Sequence, residues 1–368
     1  MDRSLSVRTP AGIRFPLAVF AVWRALQGVV VLASGGSLRG TAFGWDAGWY
    51  LSVLHLGYDV PPGGYSHFSN AAFFPGLAWA TRVVQAVVPN ETAATLLVAN
   101  GLALTAFVAV WGAARAWVGD HLARRVTIGL ALVPTSYFLW MYYAEALLLS
   151  AAAGAVWAGR RERHALASVL LAVASTARLV GVTIGPALAL ARIVRTRRVD
   201  AVSVRYVLGS VVGLAAVMAR QALEIGDPLG FLHAGRAWDR TFAAPWTPLY
   251  HAVGLILAAL PGIPIEVVVD VAAVLVFGLL VALLWQGTRR GAWPLEAATL
   301  ATPLWFVPIC SQLIASQARY MMACWPALLV AADAWPRLPR AARLAVLAVP
   351  ALLSVLMLVR LSHGLFND

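Results

Sequence analysis

From about residue 13 to residue 361 the sequence alternates long apolar runs with short clusters of arginine, and this alternation limits what the chain can fold into. An apolar run of about 20 residues is long enough to cross the hydrocarbon core of a bilayer as a helix. Of 368 residues, 61% are hydrophobic and only 12% charged, whereas a soluble domain carries about twice that charged share. The chain therefore reads as an all-α polytopic membrane protein. Its net charge of +12 would point to nucleic acid in a soluble protein. Here the basic residues must first be placed against the bilayer, and no nucleic-acid partner is expected. Every basic side chain is arginine, a bias that fits GC-rich coding better than a need for guanidinium at each site. Cys310 and Cys324 have neither metal spacing nor a disulfide framework around them. After Met1-Asp2-Arg3 the first apolar run has no small-residue cleavage site, so it reads as a retained helix.

Arginine clusters mark the cytoplasmic side. Arg3, Arg8 and Arg14 place the N-terminus there, ahead of a first helix at roughly 13–34. Residues 35–90 form an external loop, with a surface helix near 72–88 that is interrupted by Pro75 and Arg82. A span at about 92–114 leads inward to Arg115, Arg124 and Arg125. Hairpins at about 126–141/143–158 and 165–177/180–193 end at Arg160, Arg161 and Arg163, then at Arg192, Arg195, Arg197 and Arg198. A span near 204–222 leads to a second external loop, 223–262, with a short apolar piece at about 249–260. Spans from about 264–285 onward bracket an outer turn near 311–318 and finish near Leu361. The expectation is a single integral-membrane domain over 1–368, with about eleven transmembrane helices in the plasma membrane. Gly209 and Gly213 form a small-xxx-small helix contact within it.

One stretch stands apart from the spans: Gly44-Trp45-Asp46-Ala47-Gly48-Trp49-Tyr50, running on to Leu56-Gly57-Tyr58. Trp45, Trp49 and Tyr50 favour the membrane–water boundary. If the segment is helical, Trp45, Trp49 and Leu56 share one face with Asp46 beside them. A short interfacial helix would then hold one carboxylate at the mouth of a cavity. A lone acid flanked by aromatics has few structural duties there.

Arg24, Arg39, Arg82, Arg178, Arg220, Arg236, Arg240, Arg319 and Arg360 escape the cytoplasmic bias. A charge at membrane depth faces a cavity or a partner. Glu145, Arg178 and Arg319 fall at outer tips, in Tyr142-Tyr143-Ala144-Glu145, Ser175-Thr176-Ala177-Arg178 and Ser316-Gln317-Ala318-Arg319-Tyr320. With Asp46 and the loop residues Asp227, His233, Arg236, Asp239 and Arg240, they gather acids and guanidiniums on one face. Such a face suits an anionic lipid-linked substrate, because Arg meets phosphate with paired donors and stays charged when dehydrated. Plainer roles stand beside this one: Glu145 and Arg178 pair to join two tips, Arg319 snorkels to headgroups, Arg236 and Arg240 coat a loop. Arg24 belongs to helix packing or to the cavity wall. His55 and His67 read as interfacial polar residues, since no cluster has metal spacing.

Trp45-Asp46-Ala47-Gly48-Trp49-Tyr50, then Gly57-Tyr58, then Ala72-Phe73-Phe74-Pro75, resembles the start of the PIG-V-like mannosyltransferases, a family of the GT-C membrane glycosyltransferase superfamily. The likeness continues through Tyr143-Ala144-Glu145-Ala146-Leu147, Thr176-Ala177-Arg178-Leu179-Val180-Gly181, Gly226-Asp227-Pro228-Leu229 with Phe231, and Arg319-Tyr320. Gly76-Leu77-Ala78 stands where that family commonly has Leu-Tyr-Pro, and Arg178-Leu179 stands for an Arg-Pro pair. The resemblance implies a GT-C-like fold and a polyprenyl-phosphate mannose donor presented from the outer leaflet. It also implies that Asp46 is the catalytic acid of the first external loop. Acceptors of three kinds fit: glycolipid, glycan or protein hydroxyl.

Such a donor already carries a good leaving group. Asp46 is then expected as general base, with Arg178 and Arg319 meeting the growing charge on phosphate. Glu145 would orient the acceptor, Arg178 or a sugar hydroxyl. Trp45, Trp49, Tyr50, His233, Arg236 and Tyr320 complete the expected substrate-binding set. A single displacement inverts the anomeric carbon, giving an α-mannoside from a β-linked donor. No second acid lies two residues from Asp46, so neither metal nor cofactor is expected. A flippase for a lipid-linked sugar would be equally polytopic but should show paired half-chain repeats, and none is found. A non-catalytic mannosyltransferase subunit shares every feature except a working base.

Overall fold

The computed structural model describes residues 12–260 and 262–365. Among these no strand forms, and the β-type pairing is an isolated bridge between Phe242 and Ser311. The helices run α1 Arg14–Ala33, α2 Leu38–Ala42, α3 Ala47–His55, α4 Gly76–Gln85, α5 Glu91–Val118, α6 Asp120–Leu132, α7 Glu145–Arg160, α8 His164–Ala177 and α9 Ile184–Thr196. They continue with α10 Ala201–Ile225, α11 Gly230–Ala234, α12 Thr247–Ala258, α13 Ile265–Arg289, α14 Leu295–Ile309, α15 Gln317–Met321, α16 Leu328–Ala334 and α17 Arg340–Ser362. Every segment expected to span holds a helix. Six described helices are long and apolar enough to cross a membrane by themselves: α1, α5, the continuous stretch Leu179–Thr196, α10, α13 and α17. The shorter helices pack beside these, α8 between α7 and α10, and α14 against α9 and α13. Arg3 and Arg8, two of the orientation markers, lie outside the described residues.

Two elements differ from the expected pattern. The helix expected over 126–141 stops at Leu132, because Val133 precedes Pro134 and takes an extended conformation. The chain then crosses the centre of the molecule irregularly, and every residue from 135 to 153 is buried. Buried polar groups need partners, and neighbouring elements supply them. Trp23 Nε1 donates to Ser136 Oγ at 3.1 Å, Trp140 Nε1 to Gln27 Oε1 at 3.0 Å, and the Tyr142 amide to Ala42 O at 2.9 Å.

The second difference is at the aromatic stretch. Trp45 has φ +55 and is 44% exposed, so it lies outside the helix and is turned away. Asp46 precedes α3 rather than sharing its face, and Leu56 follows the helix end, exposed. Trp45, Trp49 and Leu56 therefore do not form one helical face.

The Gly209/Gly213 contact joins α10 to α8. A Cβ on Gly209 would lie 2.4 Å from Ser168 O, and one on Gly213 2.2 Å from Ala172 O. The helix backbones therefore approach more closely than any side chain allows. Gly213→Leu is expected to destabilise the protein by ~1–3 kcal/mol, read as a lower midpoint in thermal unfolding of the protein in nanodiscs. Gly101→Leu should change little, because nothing lies within 4 Å of its Cβ position.

Candidate active site

At one end of the bundle a cavity of about 600 Å³ opens between the loop before α3, the start of α7, the α8–α9 break, the α11–α12 loop and α15. Its charged lining is Asp46, Glu145, Arg178, Asp239, Arg240 and Arg319. Asp46, Glu145 and Arg178 come from the ends of helices, Asp239 and Arg240 from the α11–α12 loop, and Arg319 from the five-residue α15.

Asp46 sits in the turn before α3. Its backbone N–H donates to the Tyr143 hydroxyl at 2.9 Å, and that hydroxyl donates to Gly44 O at 3.2 Å. The irregular core segment thereby fixes the Asp46 backbone. Glu145 is the first residue of α7 and only 5% exposed. Arg178 occupies the break after α8 with extended backbone, which directs it out of the helix and into the cavity. The break is braced by α4: a Cβ on Gly76 would lie 2.7 Å from Thr176 O. This contact gives a physical reason for glycine at position 76.

Arg319, on α15, is 5% exposed and links both acids. Its Nη1 donates to Asp46 Oδ2 at 2.8 Å. Its Nε lies 3.1 Å from Glu145 Oε1, an ion-pair contact not aligned as a hydrogen bond. Its Nη2 donates to the Tyr320 hydroxyl at 3.3 Å, and its guanidinium lies 5.2 Å from the ring centres of Phe138, Tyr143 and Tyr320. Arg178 Nη1 donates to the same Glu145 Oε1. Glu145 Oε2 is buried without a hydrogen-bond partner among the described residues. The result is a continuous chain, Asp46–Arg319–Glu145–Arg178, of two anions and two cations.

Arg240 adds a cation that the sequence reading left on a loop surface. It lines the cavity, donates from Nη1 to Ala315 O at 2.9 Å, and makes no ion pair among the described residues. Arg178 and Arg240 lie 4.3 and 5.5 Å from the Tyr320 ring centre. A signal for Arg240 existed in the sequence only as one arginine among several in a polar loop.

Asp46, Tyr50, Glu145, Arg178, Arg319 and Tyr320 are thus brought together, whereas Trp45, Trp49, His233 and Arg236 are not in the cavity lining. Trp49 lies behind the wall, stacked on Phe73 and edge-on to Trp238. Arg236 is exposed. His233 instead pins two loops: its Nδ1 lies 2.7 Å from Asp227 Oδ2, which also accepts the Tyr65 hydroxyl at 2.9 Å. Burial raises the Asp227 carboxyl, but hydrogen bonds from His233, Tyr65 and the Leu229 amide prevail and hold it below its ordinary value. Arg24 serves packing, donating to Asn100 Oδ1 at 2.9 Å beneath the Trp140 ring. Arg220 pairs with Glu224 and Arg360 with Glu266, both away from the cavity. No group of three His, Cys, Asp or Glu side chains converges among the described residues.

No protein-family model matches this chain, and no curated protein does. Among solved structures it is similar to ArnT from Cupriavidus metallidurans bound to undecaprenyl phosphate, at 18% identity and a TM-score of 0.51 over 88% of this chain and 61% of that one. It is also similar to the Archaeoglobus fulgidus oligosaccharyltransferase in complex with Zn and sulfate, at 14% identity and a TM-score of 0.54 over 93% of this chain and 53% of that one. The likeness is one of fold: the arrangement of helices is similar to that of polytopic GT-C membrane proteins. The chain spans about three fifths of the first of these proteins and half of the second.

Arg319→Met leaves Asp46 without its guanidinium and Glu145 with one fewer. Removing one partner from a buried ion network costs ~3–5 kcal/mol, so a distinct fall in the unfolding midpoint is expected. The exposed control Arg236→Met should stay within ~0.5 kcal/mol of the parent.

Proposed function

We propose that this protein is an inverting, PIG-V-like glycosyltransferase that moves mannose from polyprenyl-phosphate mannose to an acceptor hydroxyl on the external membrane face. The observation that carries the reading is the meeting of Asp46 with three guanidiniums in one apolar-walled cavity. A protein of like fold is bound to undecaprenyl phosphate, which supports a polyprenyl-phosphate donor.

Asp46 accepts the proton of the acceptor hydroxyl as general base. The acceptor oxygen forms a bond to the anomeric carbon while the bond from that carbon to the phosphate oxygen breaks. The electron pair leaves with polyprenyl phosphate, and attack from the opposite face inverts the centre. Arg240 and Arg178 meet the charge that grows on the phosphate. Arg319, whose side chain is 6% exposed against 22% for Arg178, is committed to Asp46 and Glu145 and orients the base. Oε2 of Glu145, without a hydrogen-bond partner among the described residues, is an acceptor for a sugar or acceptor hydroxyl. Phe68, Phe73, Phe74 and Trp238 give the cavity its apolar side. With one phosphate to neutralise, guanidiniums suffice and the reaction needs no metal.

The test is transfer of labelled mannose from polyprenyl-phosphate mannose to a glycolipid extract by the purified protein in nanodiscs. Asp46→Asn, folded as judged by its unfolding midpoint, should lose about 10²–10⁴-fold in rate. Equal transfer by parent and variant would remove Asp46 as the base. Transfer should also persist in chelator; loss restored by Mn²⁺ or Mg²⁺ would sink the metal-free mechanism.

A further inference from the structure

Behind Arg319, away from the cavity, α13 carries two buried carboxylates one turn apart, Glu266 and Asp270. Acids are costly within an apolar helix at membrane depth, and where they persist they serve a partner or a function. Glu266 has a cationic partner, since its Oε1 accepts from Arg360 Nε at 2.7 Å. Asp270 reaches a backbone group. Its Oδ1 accepts the backbone N–H of Ala318 at 2.6 Å, while the carbonyl of Ala318 accepts the Thr135 hydroxyl at 3.0 Å. Both backbone polar groups of the residue before Arg319 are therefore held by side chains from separate parts of the fold.

The turn they hold is not one the chain adopts by itself. Ser316 has φ +66, a left-handed conformation uncommon outside glycine. Two residues later, Ala318 is 4% exposed, so its N–H has no recourse to water if Asp270 is removed. Asp270 and Arg319 also line one small void, together with Thr135, Phe138 and Ser316. Arg319 must meet Asp46, Glu145 and Tyr320 at once, and a shift of about 1 Å in its backbone cannot keep all three.

We propose that Asp270, with Thr135, is a positioning residue of the active site: it fixes the 316–320 turn and thereby the pairing of Arg319 with Asp46. Its effect on turnover rests on the glycosyltransferase reading, but its effect on the turn does not. An Asp side chain on a long, rigid helix suits this role because its short stem holds an acceptor oxygen at a fixed place beside the Ala318 amide. Thr135 completes the hold from the other side, from the irregular segment that also supplies Tyr143 to Asp46.

The experiment compares Asp270→Ala and Asp270→Asn in the full chain in nanodiscs. The readouts are hydrogen–deuterium exchange over 313–321 and kcat and KM for polyprenyl-phosphate mannose. Asp270→Ala should speed exchange at the Ala318 amide and lower kcat by about 100-fold with little change in KM. Asp270→Asn keeps an oxygen that accepts the Ala318 N–H, and should restore both protection and turnover close to the parent. In an Arg319→Lys background Asp270→Ala should add little further loss, because the two act through one contact. Asn as damaging as Ala would overturn the proposal by showing that the charge itself is used. Unchanged kcat in a folded Asp270→Ala protein with faster exchange would overturn it too. If the parent transfers no sugar, the function reading fails separately. The exchange comparison then decides the proposal, and unchanged Ala318 protection in Asp270→Ala overturns it.

Discussion

The buried guanidinium of Arg319 is the contact on which the rest of this structure turns. A charge removed from water survives only when its partners are close and well aimed, and Arg319 draws its partners from segments hundreds of residues apart. Asp46 lies ahead of α3, Glu145 opens α7, and Arg178 ends α8. None of the four is tolerable alone in apolar surroundings. Together they neutralise one another, and this requires the first long loop, two hairpin tips and the turn before α16 to converge. The cavity is what that convergence encloses.

None of these four charges sits in the middle of a long helix. The fold instead breaks its helices where a charge is needed: before α3, before α7, after α8 and around α15. Such breaks expose backbone groups that must be satisfied inside the protein. The irregular segment after Pro134 does much of this. Tyr143 engages Asp46 and Gly44, Thr135 engages Ala318, and Tyr142 and Ser136 tie in α4 and α1. The same residues that fill the core thus set the backbone of the base and of its guanidinium partner.

Asp46, Glu145, Arg178 and Arg319 were legible in the sequence because an ionisable residue at the end of an apolar run has few other uses. Arg240 was not, because one arginine in a polar loop looks like any other until its neighbours are known. Asp270 was missed for a different reason: it lies inside an apolar run, where the run itself dominates the reading. The four-residue spacing of Glu266 and Asp270 on one helix flank was the available signal. Trp45 and Trp49 were credited to the site as neighbours of Asp46, and His233 and Arg236 because their loop was placed on the same membrane face. A left-handed turn at Trp45, an intervening aromatic layer at Trp49 and a loop-pinning contact at His233 separate them from it, while Arg236 lies exposed.

The sequence by itself determined the helical membrane class, the approximate position of the apolar helices and the residues whose charge needed an explanation. Those are sums over neighbouring residues: hydropathy over a window, and charge at its ends. Only the tertiary structure decided which charge meets which, how the irregular chain after Pro134 is satisfied in the core, and that Arg240 faces the cavity while Arg236 does not. Ion pairing depends on distances of a few ångströms between residues far apart in the chain, and no local pattern contains that distance.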